Sequence, residues 1–173
     1  MSETADPTDA SATAKNPDRL ATLGAYGILD TPPERGFDDI VMLATQLCEA
    51  PVGLVSLVEA DRQWFKARIG FEQGETPLGQ SVCSHALSSH DLLIIPDLTL
   101  DERTKHNTLV THDPFIRFYA GAPLVAPNGQ VLGTLCVIDP VARPQGLTAA
   151  QAAGLAALAR QVIDLLESDR KQA

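Results

Sequence analysis

The hydrophobic pattern is densest between Arg117 and Asp139. Phe118 to Val125 is apolar with small residues, and Val131 to Ile138 is apolar and β-branched. Pro127-Asn128-Gly129 lies between them, and Asn-Gly readily takes the positive φ that a tight hairpin turn needs. Two strands joined by a turn follow. Both are apolar on either face, which places the hairpin at the centre of a sheet and not at its edge.

Elsewhere the period changes. Phe37, Ile40, Val41, Ala44, Leu47 and Cys48 recur at helical spacing, with Asp38, Asp39, Thr45, Gln46 and Glu49 opposite, so an amphipathic helix runs here and stops at Pro51. A shorter helix precedes it between Pro17 and Leu29, interrupted by Gly24 and Gly27 and broken by Asp30-Thr31-Pro32-Pro33. Val52 to Val58 and Gln63 to Ile69 read as a second hairpin, turned at Ala60-Asp61, with Lys66 and Arg68 marking a wetter face. Gly70 to Gly79 is loop, Ser81 to Ser88 is a short helix carrying Cys83 and His85, and Leu92 to Ile95 is a brief strand. Leu98 to Pro114 is polar and broken, and a long loop inside a compact domain is often functional. The last helix opens at Thr148 and Gln151, spaced as a capping box. It carries two stripes: Leu155, Leu158, Val162 and Leu165, then Ala152, Ala156, Ala159 and Ile163. One should meet the sheet, and the other is spare.

This order predicts an α+β fold, an antiparallel sheet of hairpins with the terminal helices on one face. The short helix and the long loop then cover the opposite face, and the gap beneath them is the natural pocket. Residues 1–16, small and polar with almost no large apolar side chain, are expected to be a disordered tail. The domain is expected over 17–168, with 169–173 as a C-terminal tail.

Composition narrows the function classes. With 173 residues and 45% hydrophobic positions, one domain with a proper core is expected. A net charge of −9 argues against nucleic acid or an anionic membrane as partner, because the phosphate term rewards basic surfaces. No apolar run reaches the roughly eighteen residues a membrane span needs. The N-terminus has neither the basic start nor the apolar core of a signal peptide. Three cysteines without a repeated spacing fit a reduced, cytoplasmic protein better than a disulfide scaffold.

Four segments carry a resemblance: Arg19 to Ala44 (RLATLGAYGILDTPPERGFDDIVMLA), Val55 to Gly70 (VSLVEADRQWFKARIG), Ser81 to Leu87 (SVCSHAL), and Ile116 to Asp139 with its IRFYAGAPLV and GTLCVID runs. In this order they resemble the GAF domain family, small-molecule sensor modules related in fold to PAS domains. The similarity is to the bacterial subgroup found with histidine kinases and diguanylate cyclases. The resemblance implies a GAF/PAS-like central antiparallel sheet of five or six strands, helices behind it and a ligand pocket in front, with Leu92 to Ile95 as an edge strand. It leaves the ligand and any cofactor unknown. Because few residues follow the last helix, the expectation is a stand-alone sensor acting in signal transduction, with a small-molecule ligand, a homodimer paired through the spare helix stripe, and a signalling protein as partner.

Candidate chemistry follows from strand faces. In Ile116 to Val125, Ile116, Phe118, Ala120, Ala122 and Leu124 suit the helix-backed core, and Arg117, Tyr119, Gly121 and Pro123 suit a pocket. Ser56, Thr134 and Cys136 face the ligand side by the same alternation. The candidate ligand-binding set is Ser56, Cys83, His85, Asp97, Arg117, Tyr119, Gly121, Thr134 and Cys136. A guanidinium and a phenol beside small residues suit a compact polar or anionic ligand; alternatively Arg117 pairs with Asp97 or Asp113 and closes an empty pocket. Cys83 and His85 can be read as a thiol activated by an imidazole. Residues two apart on a helix, however, point roughly 200° from each other, so a simply buried cysteine is the stronger reading. The resemblance also offers an enzyme, since some GAF-fold proteins reduce free methionine sulfoxide through cysteines; here Cys83 would be the catalytic thiol, but Cys48 and Cys136 read as core and leave it without a partner. Bilin attachment through Cys83 would want an adjacent Cys-His pair, which is not present. Cys83, His85, His90, His106 and His112 match no standard zinc spacing, and Asp97, Asp101 and Glu102 read as solvated loop charges.

Overall fold

A computed structural model describes residues 7–172, with side chains described for 10–170. The order is α1 (Pro7–Ala14), α2 (Pro17–Ala25), α3 (Arg35–Cys48), β1 (Val52–Val58), β2 (Arg62–Ile69) and β3 (Glu75–Pro77). Two 3-10 turns follow, Leu78–Gln80 and Cys83–Ala86, and then β4 (Leu93–Ile95), α4 (Thr108–Thr111), β5 (Phe118–Val125), β6 (Val131–Asp139) and α5 (Ala149–Gln172). The six strands form one sheet in the order β3-β2-β1-β6-β5-β4, with every neighbouring pair antiparallel. The β5–β6 hairpin therefore sits inside the sheet, as its two-sided apolar pattern requires, and Gly129 takes a φ of 88° in its turn.

Local chemistry sets the helix ends. Asn16 accepts from the backbone N–H groups of Asp18 and Arg19, and Pro17 opens α2 where its missing N–H costs nothing. Glu49, in the left-handed region at φ 51°, closes α3 ahead of Pro51. The capping box at Thr148 forms in both directions: Thr148 N–H donates to Gln151 Oε1 at 2.9 Å, and Gln151 N–H to Thr148 Oγ1 at 3.1 Å.

The sheet separates two cores. On one face α2, α3 and α5 cover Val55, Leu57, Phe118, Ala120, Ala122, Leu124, Leu135 and Val137. On the other, Leu54, Phe65, Tyr119, Cys136 and Ile138 lie under the two 3-10 turns, α4 and the tip of α1, which contribute Val82, Cys83, Leu87, Leu109, Val110 and Ala14.

Several expectations are corrected. The Ser81 to Ser88 segment is 3-10 and shorter than a helix, and the Gly70 to Gly79 loop contains edge strand β3. Lys66 does not face water. It is buried, with its ammonium on Glu34 Oε2 at 2.5 Å, Thr31 Oγ1 at 2.8 Å and the Pro32 carbonyl at 2.6 Å, because the Thr31–Glu34 turn folds over β2. Ile116 precedes β5 and packs in the lid-side core, not with the helices. On α5 the buried seam is Leu155, Ala159, Val162 and Leu166, so it runs between the two expected stripes. Residues 1–16 were expected to be disordered. Residues 1–6 lie outside the described residues, but Pro7–Ala14 is helical, with Ala10 and Ala14 buried, and α5 continues to Gln172 through most of the expected C-terminal tail. Alanine-rich sequence favours the first helix, and Arg19 holds it: this buried guanidinium donates to the carbonyls of Thr13, Ala14, Val58, Val131 and Leu132.

Candidate functional site

Strand alternation turns Ser56, Tyr119, Thr134 and Cys136 toward the lid, where the Cys83–Ala86 turn lowers Cys83 onto them. Cys83 Sγ accepts from Thr134 Oγ1 at 3.1 Å and from Tyr119 Oη at 3.3 Å, and lies 3.9 Å from Cys136 Sγ. The two hydroxyls are 3.2 Å from each other. All five residues are buried. Gly121 belongs to the same arrangement, since the Tyr119 phenol lies where a side chain at 121 would be.

A second set, which the sequence reading missed, extends this polar island. Gln63 Oε1 accepts from Ser56 Oγ at 3.1 Å and Ser81 Oγ at 2.9 Å, while its Nε2 donates to Thr76 Oγ1 at 2.7 Å. Ser81 Oγ in turn accepts from Ser84 N–H at 3.0 Å. A glutamine on the lid-facing side of β2, in phase with Phe65, was the available signal. Thr76 gave none, because its pairing opposite Gln63 needs a strand where the sequence suggested a loop.

These contacts polarise the two thiols in opposite directions. Hydrogen bonds from Cys136, Thr134 and Tyr119 hold the Cys83 thiol below its ordinary value, against the opposing effect of burial. The bond to Cys83 and burial together push Cys136 up. Of the two sulfurs, Cys83 is the one that two hydroxyl donors bias toward the thiolate. The pairing also corrects the expectation that Cys83 has no partner thiol: Cys136 is core, but its sulfur is on the lid side of β6.

The lid is closed. The space between it and the sheet, lined by Gln63, Phe65, Phe71, Cys83, Tyr119 and others, amounts to about 10 Å³, the lower limit for one water.

The remaining candidates are elsewhere. His85 points away from Cys83, to a surface cleft shared with α1, Arg103 and Asn107, and its buried Nδ1 has no hydrogen-bond partner; desolvation, then Arg103, lower its pKa. Asp97 is half-buried at the surface and accepts from the N–H and hydroxyl of Thr99. Arg117 donates to the Val110 and Ile116 carbonyls at 2.8 and 3.0 Å and lies over the Phe115 ring, so it braces the lid loop through carbonyls and makes no ion pair with Asp97 or Asp113. Among the described residues, no group of three or more His, Cys, Asp or Glu side chains is placed to hold a metal.

Comparison with known proteins agrees with this architecture. The GAF domain model matches residues 32–163. A cyclic di-GMP phosphodiesterase of Pseudomonas aeruginosa is 40% identical over 121 residues, covering 70% of this chain, and the chain spans only 21% of that relative. Among solved structures, the GAF domain of an Acinetobacter phosphoenolpyruvate-protein phosphotransferase matches with a TM-score of 0.65 at 16% identity, covering 90% of this chain and 95% of that one. A free methionine-R-sulfoxide reductase of Neisseria meningitidis matches at 0.63 and 15% identity, covering 96% and 89%. At such identities the structures share the fold alone. The six-stranded antiparallel sheet, its two covered faces and the match over residues 32–163 together make this chain a member of the GAF domain family.

Proposed function

We propose that this GAF domain is a sensor module whose small, polar ligand binds between the lid and the face of β1, β6 and β5. The observation that supports this is the island of Ser56, Gln63, Cys83, Tyr119 and Thr134 on an otherwise apolar sheet face. Buried polar groups cost stability unless paired, and here they pair with one another under a lid made of short turns. A ligand that offers hydroxyl or amide groups would exchange with these internal bonds as the lid lifts. The likeness to a cyclic di-GMP phosphodiesterase supports a role in second-messenger signalling, with the output in a partner or in a longer polypeptide. Pairing of two copies through α5 would pass the signal on, and a cytoplasmic setting suits the three reduced thiols.

Native mass spectrometry and an absorption spectrum of freshly purified protein test the reading, followed by thermal shifts against polar metabolites. A co-purifying mass, or a stabilisation lost in Thr134→Val, supports it. No bound mass and no shift across the panel would count against it. A thiol-dependent sulfoxide reductase is the second reading, because Cys136 stands beside Cys83; turnover of free methionine sulfoxide, lost in Cys83→Ser, would replace the sensor reading.

A further inference from the structure

We propose that Cys83 and Cys136 are a peroxide-oxidisable dithiol, converted by a hydroperoxide into a disulfide that ties the lid to the central strand. The sulfurs are 3.9 Å apart with nothing between them, one on the lid turn and one in the middle of β6. The third cysteine, Cys48, is on α3 across the sheet, buried in the other core. A disulfide is thus available to one pair only.

The two sulfurs are not equivalent, and their surroundings assign their roles. Cys83 borders the small space under the lid, whereas Cys136 does not line it, so an entering oxidant meets Cys83 first. Cys83 Sγ also has the Thr134 and Tyr119 hydroxyls at 3.1 and 3.3 Å, donors that favour its thiolate. Cys136 Sγ, 3.9 Å away, is placed to attack the oxidised Cys83 sulfur.

The chemistry balances with one hydroperoxide. The Cys83 thiolate attacks a peroxide oxygen: an S–O bond forms and the O–O bond breaks. Sulfur gives up two electrons, and the released oxygen leaves as water (or an alcohol) with the proton that Cys83 had lost. The product is a sulfenic acid at Cys83. The Cys136 sulfur then attacks it: the S–S bond forms, the S–O bond breaks, and the hydroxyl leaves as water with the Cys136 proton. Two thiols and one hydroperoxide become one disulfide. A thiol reductant reverses the change by exchange. The oxidation requires neither a bound ligand nor a sulfoxide substrate.

The test uses the full chain, reduced with dithiothreitol, desalted and exposed to a modest excess of hydrogen peroxide. The expected result is a loss of about 2 Da per chain, a fall in free thiols from three to one, and a proteolytic peptide joining Cys83 to Cys136, all reversed by dithiothreitol. Cys48→Ser leaves the mass loss intact. In Cys136→Ser, with its fold checked by circular dichroism, Cys83 stays as a sulfenic acid that dimedone traps, and no mass is lost. If that variant does not fold, peptide mapping of the wild-type chain decides. Three thiols surviving peroxide would overturn the proposal. So would oxygen added to Cys83 without a cross-link, or a cross-link through Cys48.

Discussion

The phenol of Tyr119 occupies the place of a side chain at Gly121: a Cβ built there lies 2.3 Å from the Tyr119 hydroxyl oxygen and 3.0 Å from Cε1. Glycine at 121 is thus what lets the tyrosine lie along its own strand and reach Cys83 and Thr134. Gly121→Ala should displace the ring and cost about 1–3 kcal/mol, the usual penalty for overpacking a core. Urea denaturation measures it. In a double-mutant cycle, Tyr119→Leu should remove most of the alanine penalty, and strict additivity of the two changes would refute the relationship.

Arg19 is among the largest fully buried side chains of the described residues, and its guanidinium reaches five backbone carbonyls in three segments of chain, the end of α1, β1 and β6. Burial lowers its pKa to about 10, which leaves it charged at neutral pH. Arg19→Met would leave those carbonyls short of donors, at roughly 1–3 kcal/mol for each one that water cannot reach. We expect a loss of stability in denaturant. We also expect proteolysis to begin in the α1–α2 segment, seen by mass spectrometry of limited digests. Arg19→Lys, with one compact cationic head, should fall between the two.

Hydrogen bonds place the Cys83 thiol below its ordinary value of 9.0 in the folded chain. A lowered pKa stabilises the fold above the unfolded value, and that contribution is lost as pH falls through the folded one. Wild type should therefore gain stability relative to Cys83→Ser as pH rises from the folded value of about 6, and the gain should level off once pH passes 9.0. Its thiolate absorbance near 240 nm should titrate below that pH and vanish in the variant. A titration at or above 9.0 would show that burial outweighs the hydroxyl donors.

On α5, Ala159 is buried in the helix-side core, whereas Ala156 is half-buried at the rim beside Ile163. Dimerisation through this flank is best tested at Ala156. Ala156→Arg should convert a dimer to a monomer in analytical ultracentrifugation with little change in melting temperature. Ala159→Arg should instead damage the fold, because its charge would enter the core.

The architecture was legible because it rests on short-range periodicity. Apolar runs bounded by turn residues marked β1, β2, β5 and β6; helical spacing marked α3 and α5; Asn128-Gly129 and the Thr148–Gln151 box marked a turn and a helix start. A local backbone preference determines each of these, so neighbours in sequence suffice to read it. Strand alternation placed Ser56, Tyr119, Gly121, Thr134 and Cys136 on one face. Only the tertiary structure decided which of them meet. The register of β6 on β5 sets Pro123 beside Thr134 and Gly121 beside Cys136, and the lid turn must then descend to bring Cys83 into reach. Lys66, read as wet, is dry because a distant turn folds over it. Arg117, read as a ligand clamp, binds the carbonyl of Val110. Arg19 stands out in no sequence pattern, yet it joins α1 to the sheet. Side-chain partners separated by tens of residues depend on how layers pack, and packing leaves no period in the chain.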